Sequence, residues 1–571
     1  MNNPAPGIPA STPGGPSRPS RRAFLRQCAS GLVVWFVLRP EAGAQQSEAT
    51  SAVAAGARAK GSTDFNAYLR IAEDGRVTCF TGKIEMGQGP VTSLPQMLAE
   101  ELDVAVDAVD IVMGDTDLCP FDQGTWGSLT TRQFGPQLRA AAAEARAVLL
   151  EMAAERWQVP VAQLVVHDGV ITDTRDPARR ITYGELAGGK AINRHLAMPP
   201  VLKKPAEFKV AGQPLLRRDA REKVTGAAKY AGDFRMPGML YASVLRPPAH
   251  GAKLVRVDAS ALANDQGVVF VQEPGLVAVL HELPDVAAEA LARLKAEFEP
   301  SDSRLDDRNI YDHLAHNGPE ARTVRHAGDL EAGRRQAVAT VASTYRNAYV
   351  AHAAMETHTA LAAIVDDRMT VWASTQNPFG ARAEIAAALA WPVSRVRVIT
   401  PYLGGGFGGK AFNLEAIEAA RLAKATGRPV QVCWTREEEF FNDTFRPAAV
   451  VNVAAGLDAG GRISFWDFEV RFAGDRGAEV IYDVPACHIR SVGNFSGPPG
   501  YHPFAVGAWR APGCNTNAFA RESQVDQLAK RAGADPVDFR LRHLTDPRAR
   551  RVLEAAAKDW GWQPAPPGSG R

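Results

Sequence analysis

The stretch from Val398 to Asn413, VITPYLGGGFGGKAFN, restricts what this chain can fold into more than any other. Gly404, Gly405, Gly406, Gly408 and Gly409 surround Phe407, and Lys410 follows them. A β-like run from Val396 to Thr400 precedes this loop, and the helical pattern AFNLEAIEAARLAKATG comes after it. Strand, glycine loop and helix N-terminus together form an anion-binding device, because unpaired backbone N–H groups and the positive end of the helix dipole converge there. Glycine in such numbers costs chain entropy, so a run of it around an aromatic residue predicts backbone pressed against a ligand.

The spacing of Gly404, Gly409 and Lys410 fits the first seven positions of a nucleotide-binding P-loop. Ala411 stands where such a loop needs Ser or Thr to hold magnesium. No run clearly supplies the acidic residue at a strand end that would complete the metal site. A nucleoside triphosphate is therefore set aside. A second glycine loop, KIEMGQGPVTSLPQ, places Gln88 between Gly87 and Gly89 before another helical pattern. With DQGTWGSLTT, from Asp122 to Thr131, these loops read as several backbone cradles around one large anionic ligand.

A chain of 571 residues is too long for one core and predicts two or three domains. Its 46% hydrophobic and 22% charged residues are those of a globular protein, and a net charge of +2 gives no reason to expect nucleic acid as a partner. Cys28, Cys79, Cys119, Cys433, Cys487 and Cys514 are scattered without any Cys-x-x-Cys. That excludes a local iron–sulfur ligand run and a c-type haem attachment site, so further redox centres are expected on another polypeptide.

The N-terminal stretch SRRAFLRQCASGLVVWFVLRPEAGAQQ carries Arg21 and Arg22, then Phe24 and Leu25, then an apolar run from Cys28 to Leu38. Ala42 to Ala44 offer a small-residue cleavage site. The apolar run is about half of the ~20 residues that a membrane-spanning helix needs. The pattern predicts a twin-arginine export signal over residues 1–44, a linker over 45–65, and a periplasmic location reached in the folded state. Export after folding suits a protein that takes up its cofactor beforehand.

Beyond the linker, two alternating runs joined at Glu73-Asp74-Gly75 predict a hairpin, VTSLPQMLAEELDV a helix and VDIVMGD a strand. The Ala-rich stretch from Pro136 to Trp157 predicts a long helix. A proline- and lysine-containing crossover near residue 200 leads into a small α/β unit ending near Ser303. Two late helices are expected, near Ala518–Arg531 and Arg548–Asp559. The fold class is α/β (α+β mixed) and multi-domain.

STQNPFGAR, PYLGGGFGGK, GAWRAPG and EMGQG, in this chain, resemble the molybdenum-cofactor subunit of the xanthine oxidase family, in its isoquinoline 1-oxidoreductase beta-subunit type. The resemblance covers nearly all of residues 66–571. It implies an N-terminal molybdopterin-binding segment over 66–200, a small α/β hammerhead-like domain over 205–303 and a larger molybdopterin-binding domain over 320–571. It also implies a molybdopterin cofactor, its tail a phosphate or a cytosine dinucleotide, with the metal ligated by the pterin dithiolene and by no side chain. By the same resemblance Gln376 hydrogen-bonds near the metal oxo group and Phe407 walls the substrate pocket. The Gly408 N–H points at a metal-bound oxygen, and Gly405, Gly406 and Gly409 line the cofactor. Gln88, flanked by Gly87 and Gly89, contacts the cofactor, and Ser128 lies in the loop for its tail. Arg510 stabilises developing negative charge, for which a guanidinium is suited.

The implied reaction is hydroxylation of a small molecule with water as the oxygen source. Electrons pass to a separate [2Fe–2S] subunit and then to a cytochrome c. Alanine at position 411 stands where purine-specific relatives carry a glutamate, and so favours an N-heteroaromatic or aldehyde substrate. The family's general base is a glutamate in a late Gly-Glu motif, and this sequence ends at WGWQPAPPGSGR, where that segment would begin. A separate polypeptide carrying the segment is one expectation; a truncated inactive or non-catalytic exported cofactor-binding protein is the alternative. Gly184-Glu185 lies elsewhere in the pattern and is not assigned the role. Glu356 is expected to be a structural hydrogen-bonding residue, and His352 and His358 to be satisfied core histidines packed in a strand.

Overall fold

The structure, a computed structural model, describes residues 67–188 and 200–564, together with the backbone of Leu32–Trp35. The rest of the predicted export signal and linker lies outside the described residues. Leu32–Trp35 belongs to the apolar run of that signal, and its backbone pairs antiparallel with Ala67–Ile71 at the edge of a four-stranded sheet. The predicted hairpin, Ala67–Ile71 with Val77–Thr81, forms the middle, and Val109–Met113 adds in parallel on the far side. Helices Pro90–Leu102 and Gly135–Trp157 cover this sheet. Alanines 141, 142, 145 and 153 are buried between them, so small side chains at helical spacing let the backbones approach.

A seven-stranded sheet forms the centre of the chain. Its order is Val269–Glu273, Leu276–His281, Leu240–Val244, Val430–Cys433, Thr359–Val365, Arg368–Ala373 and Val396–Ile399. The first three strands come from the small α/β unit and the last four from beyond residue 320. The seam is the parallel pairing of Leu240 with Val430, so the unit shares a sheet with the following segment. Strands buried on both faces read as continuous apolar runs such as TALAA in Thr359–Val365. Helices Pro378–Leu389 and Leu414–Thr426 bury Ile385, Leu389, Ala416 and Leu422 against the sheet.

A five-stranded sheet follows, in the order Arg322–Ala327, Cys487–Val492, Ile463–Arg471, Ala449–Leu457 and Ala339–Asn347. Helices Cys514–Arg531 and Pro536–His543 pack on it through Val525, Leu528 and Phe539. The Ala-rich helix and the two expected late helices, which form as Cys514–Arg531 and Pro547–Trp560, thus occur where periodicity places them, within a few residues at each end. Pro536–His543 is a further helix between the last two. Cys79, Cys119, Cys433, Cys487 and Cys514 are all free. Among the described residues no helix is long and apolar enough to cross a membrane.

Two details place the glycine loop. Val396–Ile399 is the last strand of the central sheet, so its loop leaves from a sheet edge. The N-terminal unit docks on that edge: Thr116 N–H donates to Val398 C=O at 3.0 Å, and Thr400 N–H to Gly114 C=O at 3.0 Å.

A candidate cofactor site at the glycine loops

Hydrogen bonds bring the motif segments together. Leu403 N–H donates to Glu85 C=O at 3.0 Å, joining the two glycine loops. Thr125 N–H donates to Gln376 C=O at 2.9 Å, and the Gln376 Nε2 amide returns a bond to Thr125 C=O at 2.9 Å. The Gln376 Oε1 accepts from Gly408 N–H at 2.9 Å, and Arg510 N–H donates to Phe407 C=O at 2.8 Å. Gln376 is held for this by local chemistry. Asn377 caps the helix Pro378–Leu389 by accepting from Gly380 N–H at 2.9 Å, and proline at the first helical position ends the strand segment. In the structure, then, the Gly408 N–H is directed at Gln376, and both polar ends of the Gln376 side chain bond protein.

Four glycines of the first loop, Gly404, Gly406, Gly408 and Gly409, answer to protein behind it rather than to open space in front. A Cβ at Gly404 would overlap Glu356, and one at Gly408 would overlap the Ala508 carbonyl. At Gly406 it would sit 2.5 Å from Gln376 Oε1, and at Gly409 2.5 Å from Asp443 Oδ2 and 2.8 Å from His352 Nδ1. The expectation that a ligand demands these glycines is corrected: the loop lies on a buried shell that leaves no room for side chains. Phe407 adopts φ 57°, a left-handed conformation that costs about 1 kcal/mol or more for a bulky residue, and this holds its ring 44% exposed.

Lys410 is fully buried, and its Nζ meets Glu356 Oε2 at 2.9 Å. The same oxygen accepts from Gly404 N–H at 2.8 Å. The lysine that a P-loop would offer to phosphate therefore points behind the loop and straps it down. Glu356 has the hydrogen-bonding role expected of it.

The second loop is filled from within. The buried Glu85 carboxylate accepts from Gly87 N–H at 2.7 Å, Gly89 N–H at 3.2 Å and Val91 N–H at 3.2 Å. Buried charge must find donors, and here it takes the helix N-terminus expected to hold an external anion. Gln88 closes its own turn: Oε1 accepts from Met86 N–H at 2.8 Å, and Nε2 donates to Ile84 C=O at 3.0 Å. Ser128 is exposed, with φ 57°, at the entrance to the turn that opens Gly135–Trp157. Lys83 and Asp122, paired at 2.9 Å and fully buried, tie the two N-terminal loops together.

Behind the first loop lies a buried ionisable layer. His352 and His358 sit in the irregular stretch between strands Ala339–Asn347 and Thr359–Val365, not within a strand as expected, yet both are buried and bonded. His352 Nδ1 faces Asp443 Oδ2 at 2.7 Å and its Nε2 faces Ala508 C=O at 2.8 Å. Burial opposes the His352 charge, but the hydrogen bond and charge of Asp443 outweigh it and raise its pKa. His358 Nδ1 meets Glu439 Oε2 at 3.0 Å. Burial opposes its charge too, and the bond to Glu439 with the nearby Glu415 lifts it to about 9. Burial pushes Glu415 up to about 7, against the opposing pull of His358 and Lys410, and neither of its carboxyl oxygens has a hydrogen-bond partner. Ligand atoms of His358, Glu439 and Asp443 lie within 4.8 Å of one another, but His358 is bonded to Glu439 and Asp443 to His352. The trio reads as paired ions rather than as a metal centre.

Sequence reasoning missed Asp443, Glu85 and Thr125. Only Glu85 carried a local signal: an acid just before a Gly-x-Gly at a helix start is placed to accept its N–H groups.

What remains for a ligand is a set of donors. The N–H groups of Gly405, Gly406 and Phe407 have no acceptor among the described residues. The Arg510 side chain beside them is exposed and makes no ion pair or hydrogen bond among the described residues. Leftover donors and a cation beside an exposed ring fit a flat, anionic, oxygen-rich group such as a pterin with a phosphate, and fit magnesium poorly.

Two molybdopterin cofactor-binding domain families match the chain, one over residues 42–231 and the other over residues 313–544. The chain is 32% identical over 527 residues to a nicotinate dehydrogenase subunit of Pseudomonas putida, an alignment that takes 87% of this chain and 44% of that protein. It is 30% identical over 630 aligned positions to the beta-subunit of isoquinoline 1-oxidoreductase of Brevundimonas diminuta, covering 97% of this chain and 79% of that one. Among solved structures, quinoline 2-oxidoreductase from Pseudomonas putida 86 shares the fold, with a TM-score of 0.53 and 21% identity. That match covers 61% of this chain and 54% of the other, so this chain spans about half the length of several proteins it resembles. Domain families, relatives and motif geometry agree: the chain belongs to the molybdopterin-binding large subunits of the xanthine oxidase family of molybdenum hydroxylases.

Proposed function

We propose that this chain is the molybdopterin-binding large-subunit portion of a molybdenum hydroxylase that oxidises an N-heteroaromatic or aldehyde substrate, with water as the oxygen source. The observation that carries the reading is the meeting of Gln376 and the Arg510 backbone at the loop of Phe407, whose N–H groups at Gly405, Gly406 and Phe407 have no acceptor among the described residues. When bound, the cofactor supplies two-electron oxidation and the transfer of an oxygen derived from water.

The chain's own residues bind and orient. The free N–H groups hold anionic oxygens of the cofactor at fixed positions, which costs no reorganisation during reaction. Gln376 fixes the loop by bonding Gly408 on one side and Thr125 on the other. The exposed Phe407 ring offers a flat wall on which an aromatic substrate stacks. The unpaired Arg510 guanidinium meets negative charge that develops on the substrate. Ala411 brings no acid to the loop, which favours the less polar substrates over a purine. The cofactor tail runs towards Ser128 and the second glycine loop, and the cytosine dinucleotide form is the one proposed. Electrons pass to a separate [2Fe–2S] subunit and from there to a cytochrome c. The twin-arginine pattern at Arg21 and Arg22 supports export of the folded, loaded protein to the periplasm.

Metal analysis of the full-length protein, produced in a host that makes the cofactor, tests the reading. Near-stoichiometric molybdenum, a fluorescent pterin on oxidation and release of CMP on acid treatment are expected. Folded protein without molybdenum would sink it. Dye reduction with isoquinoline, nicotinate and benzaldehyde, in the presence of the iron–sulfur subunit, then orders the substrate classes. Conversion of Arg21 and Arg22 to lysine should retain the protein in the cytoplasm.

A further inference from the structure

The segment that carries Arg510 is held from behind the glycine loop by a buried side chain. His352 is buried, and its Nε2 lies 2.8 Å from the Ala508 carbonyl oxygen. A carbonyl only accepts, so this nitrogen carries a proton and donates it. Nδ1 on the other side faces Asp443 Oδ2 at 2.7 Å. Asp443 is itself fixed, its Oδ1 accepting from Thr444 N–H at 2.6 Å. Phe445 then pairs with the same segment, its N–H donating to Ala505 C=O at 3.4 Å and Gly507 N–H donating to Phe445 C=O at 2.8 Å.

The glycine loop rests on this pair. A Cβ at Gly409 would fall 2.5 Å from Asp443 Oδ2 and 2.8 Å from His352 Nδ1, and one at Gly408 would overlap the carbonyl that His352 holds. Two residues after that carbonyl, Arg510 N–H donates to Phe407 C=O at 2.8 Å. The order of contact is therefore Asp443, His352, Ala508, Arg510 and Phe407.

We propose that His352, oriented by Asp443, is a positioning residue: its Nε2–H clamps the Ala508 carbonyl and so holds the Arg510 segment against the glycine loop. It touches neither substrate nor cofactor. The consequence for activity rests on the reading that Arg510 serves the site, whereas the clamp itself does not. A carbonyl that loses its donor while buried is left unsatisfied, and here that cost falls on the register of Arg510 and Phe407.

Asparagine and glutamine at position 352 separate the two ends of the imidazole. Gln places an N–H near the Nε2 position and keeps the bond to Ala508, whereas Asn reaches only towards Asp443. In hydrogen exchange of the full-length protein, the Arg510 amide in H352N should exchange about tenfold faster than in the unmodified protein, and H352Q should restore most of the protection. Molybdenum content is measured on every preparation. In loaded enzyme kcat should fall about tenfold in H352N with KM changed by less than about threefold, and H352Q should recover it. Equal exchange at Arg510 in H352N and H352Q would overturn the clamp. Absence of molybdenum from the unmodified protein would instead remove the functional reading, and the exchange comparison would still decide the clamp.

Discussion

A methyl group added at Gly408 would overlap the Ala508 carbonyl, whereas one added at Gly87 would meet nothing within 4 Å. Both residues have positive φ, 119° and 102°, and both follow a strand and precede a helix. In the first loop Gly404, Gly406, Gly408 and Gly409 are imposed by a packed shell of Glu356, Gln376, Asp443, His352 and Ala508. In the second they are imposed by backbone conformation alone, and the helix N-terminus is filled by Glu85. Two loops alike in sequence thus differ in what an added atom would disturb, and the one with free donors is the one that its shell holds rigidly.

The sharpest test of that contrast is G408A. The added Cβ meets a backbone carbonyl that cannot move without carrying Arg510 with it, and it does so at a φ that strains any L-residue. A loss of about 4 kcal/mol or more is expected in urea unfolding, with loss of retained molybdenum. A variant that unfolds like the unmodified protein would show that the loop lies loosely on its shell. Next comes K410M, which leaves Glu356 without its buried partner and should cost about 3 kcal/mol. The double variant K410M/E356Q should recover part of this, because no charge is then stranded. A double variant no better than K410M would place the cost in packing rather than in charge.

How much of this was legible in the sequence follows from the range of each interaction. The strand–loop–helix units, the Ala-rich helix and the late helices are local patterns, and they stand where periodicity puts them. Asn377-Pro378 is a local start signal too, although the pattern within STQNPFGAR does not by itself announce the helix it opens. The shell behind the first loop was not legible, because its contacts are distant in sequence: Asp443 is 91 residues from His352, and Ala508 is 156. Without those partners the glycines read as room for a ligand. The same distance concealed the seam that joins the small α/β unit to the central sheet through Val430.

A smaller effect is expected from the ionisable layer under the first loop, and it gives that loop a pH dependence. Glu415 binds its proton more tightly in the folded chain, with a pKa lifted to about 7 by burial. Such a group adds stability at low pH and loses it as the pH rises from the ordinary carboxyl value through about 7. His358, lifted to about 9, acts in the same direction at higher pH: its contribution is full below its ordinary value and is lost as the pH rises through 9. Stability should therefore fall between pH 5 and 9, and E415Q should remove the lower part of the fall. At pH 8 that variant should be more stable than the unmodified protein by about 2 kcal/mol, with little difference at pH 4.5. An equal change at both pH values would show that Glu415 is not the group responsible.

The smallest effect belongs to the second loop. G87A adds a methyl group to open space, so only the backbone conformation opposes it, at about 1 kcal/mol. The Glu85 carboxylate would keep its bonds to Gly89 and Val91 while the turn adjusts. Thermal unfolding should therefore shift by only a few degrees in G87A, where G408A collapses. A loss in G87A as large as in G408A would mean that something presses on Gly87 in the working protein. The second loop would then be a ligand cradle as well, with Glu85 displaced from it. Molybdenum content decides between that and simple strain: strain lowers the unfolding temperature and leaves the metal load intact, whereas a blocked cradle lowers both.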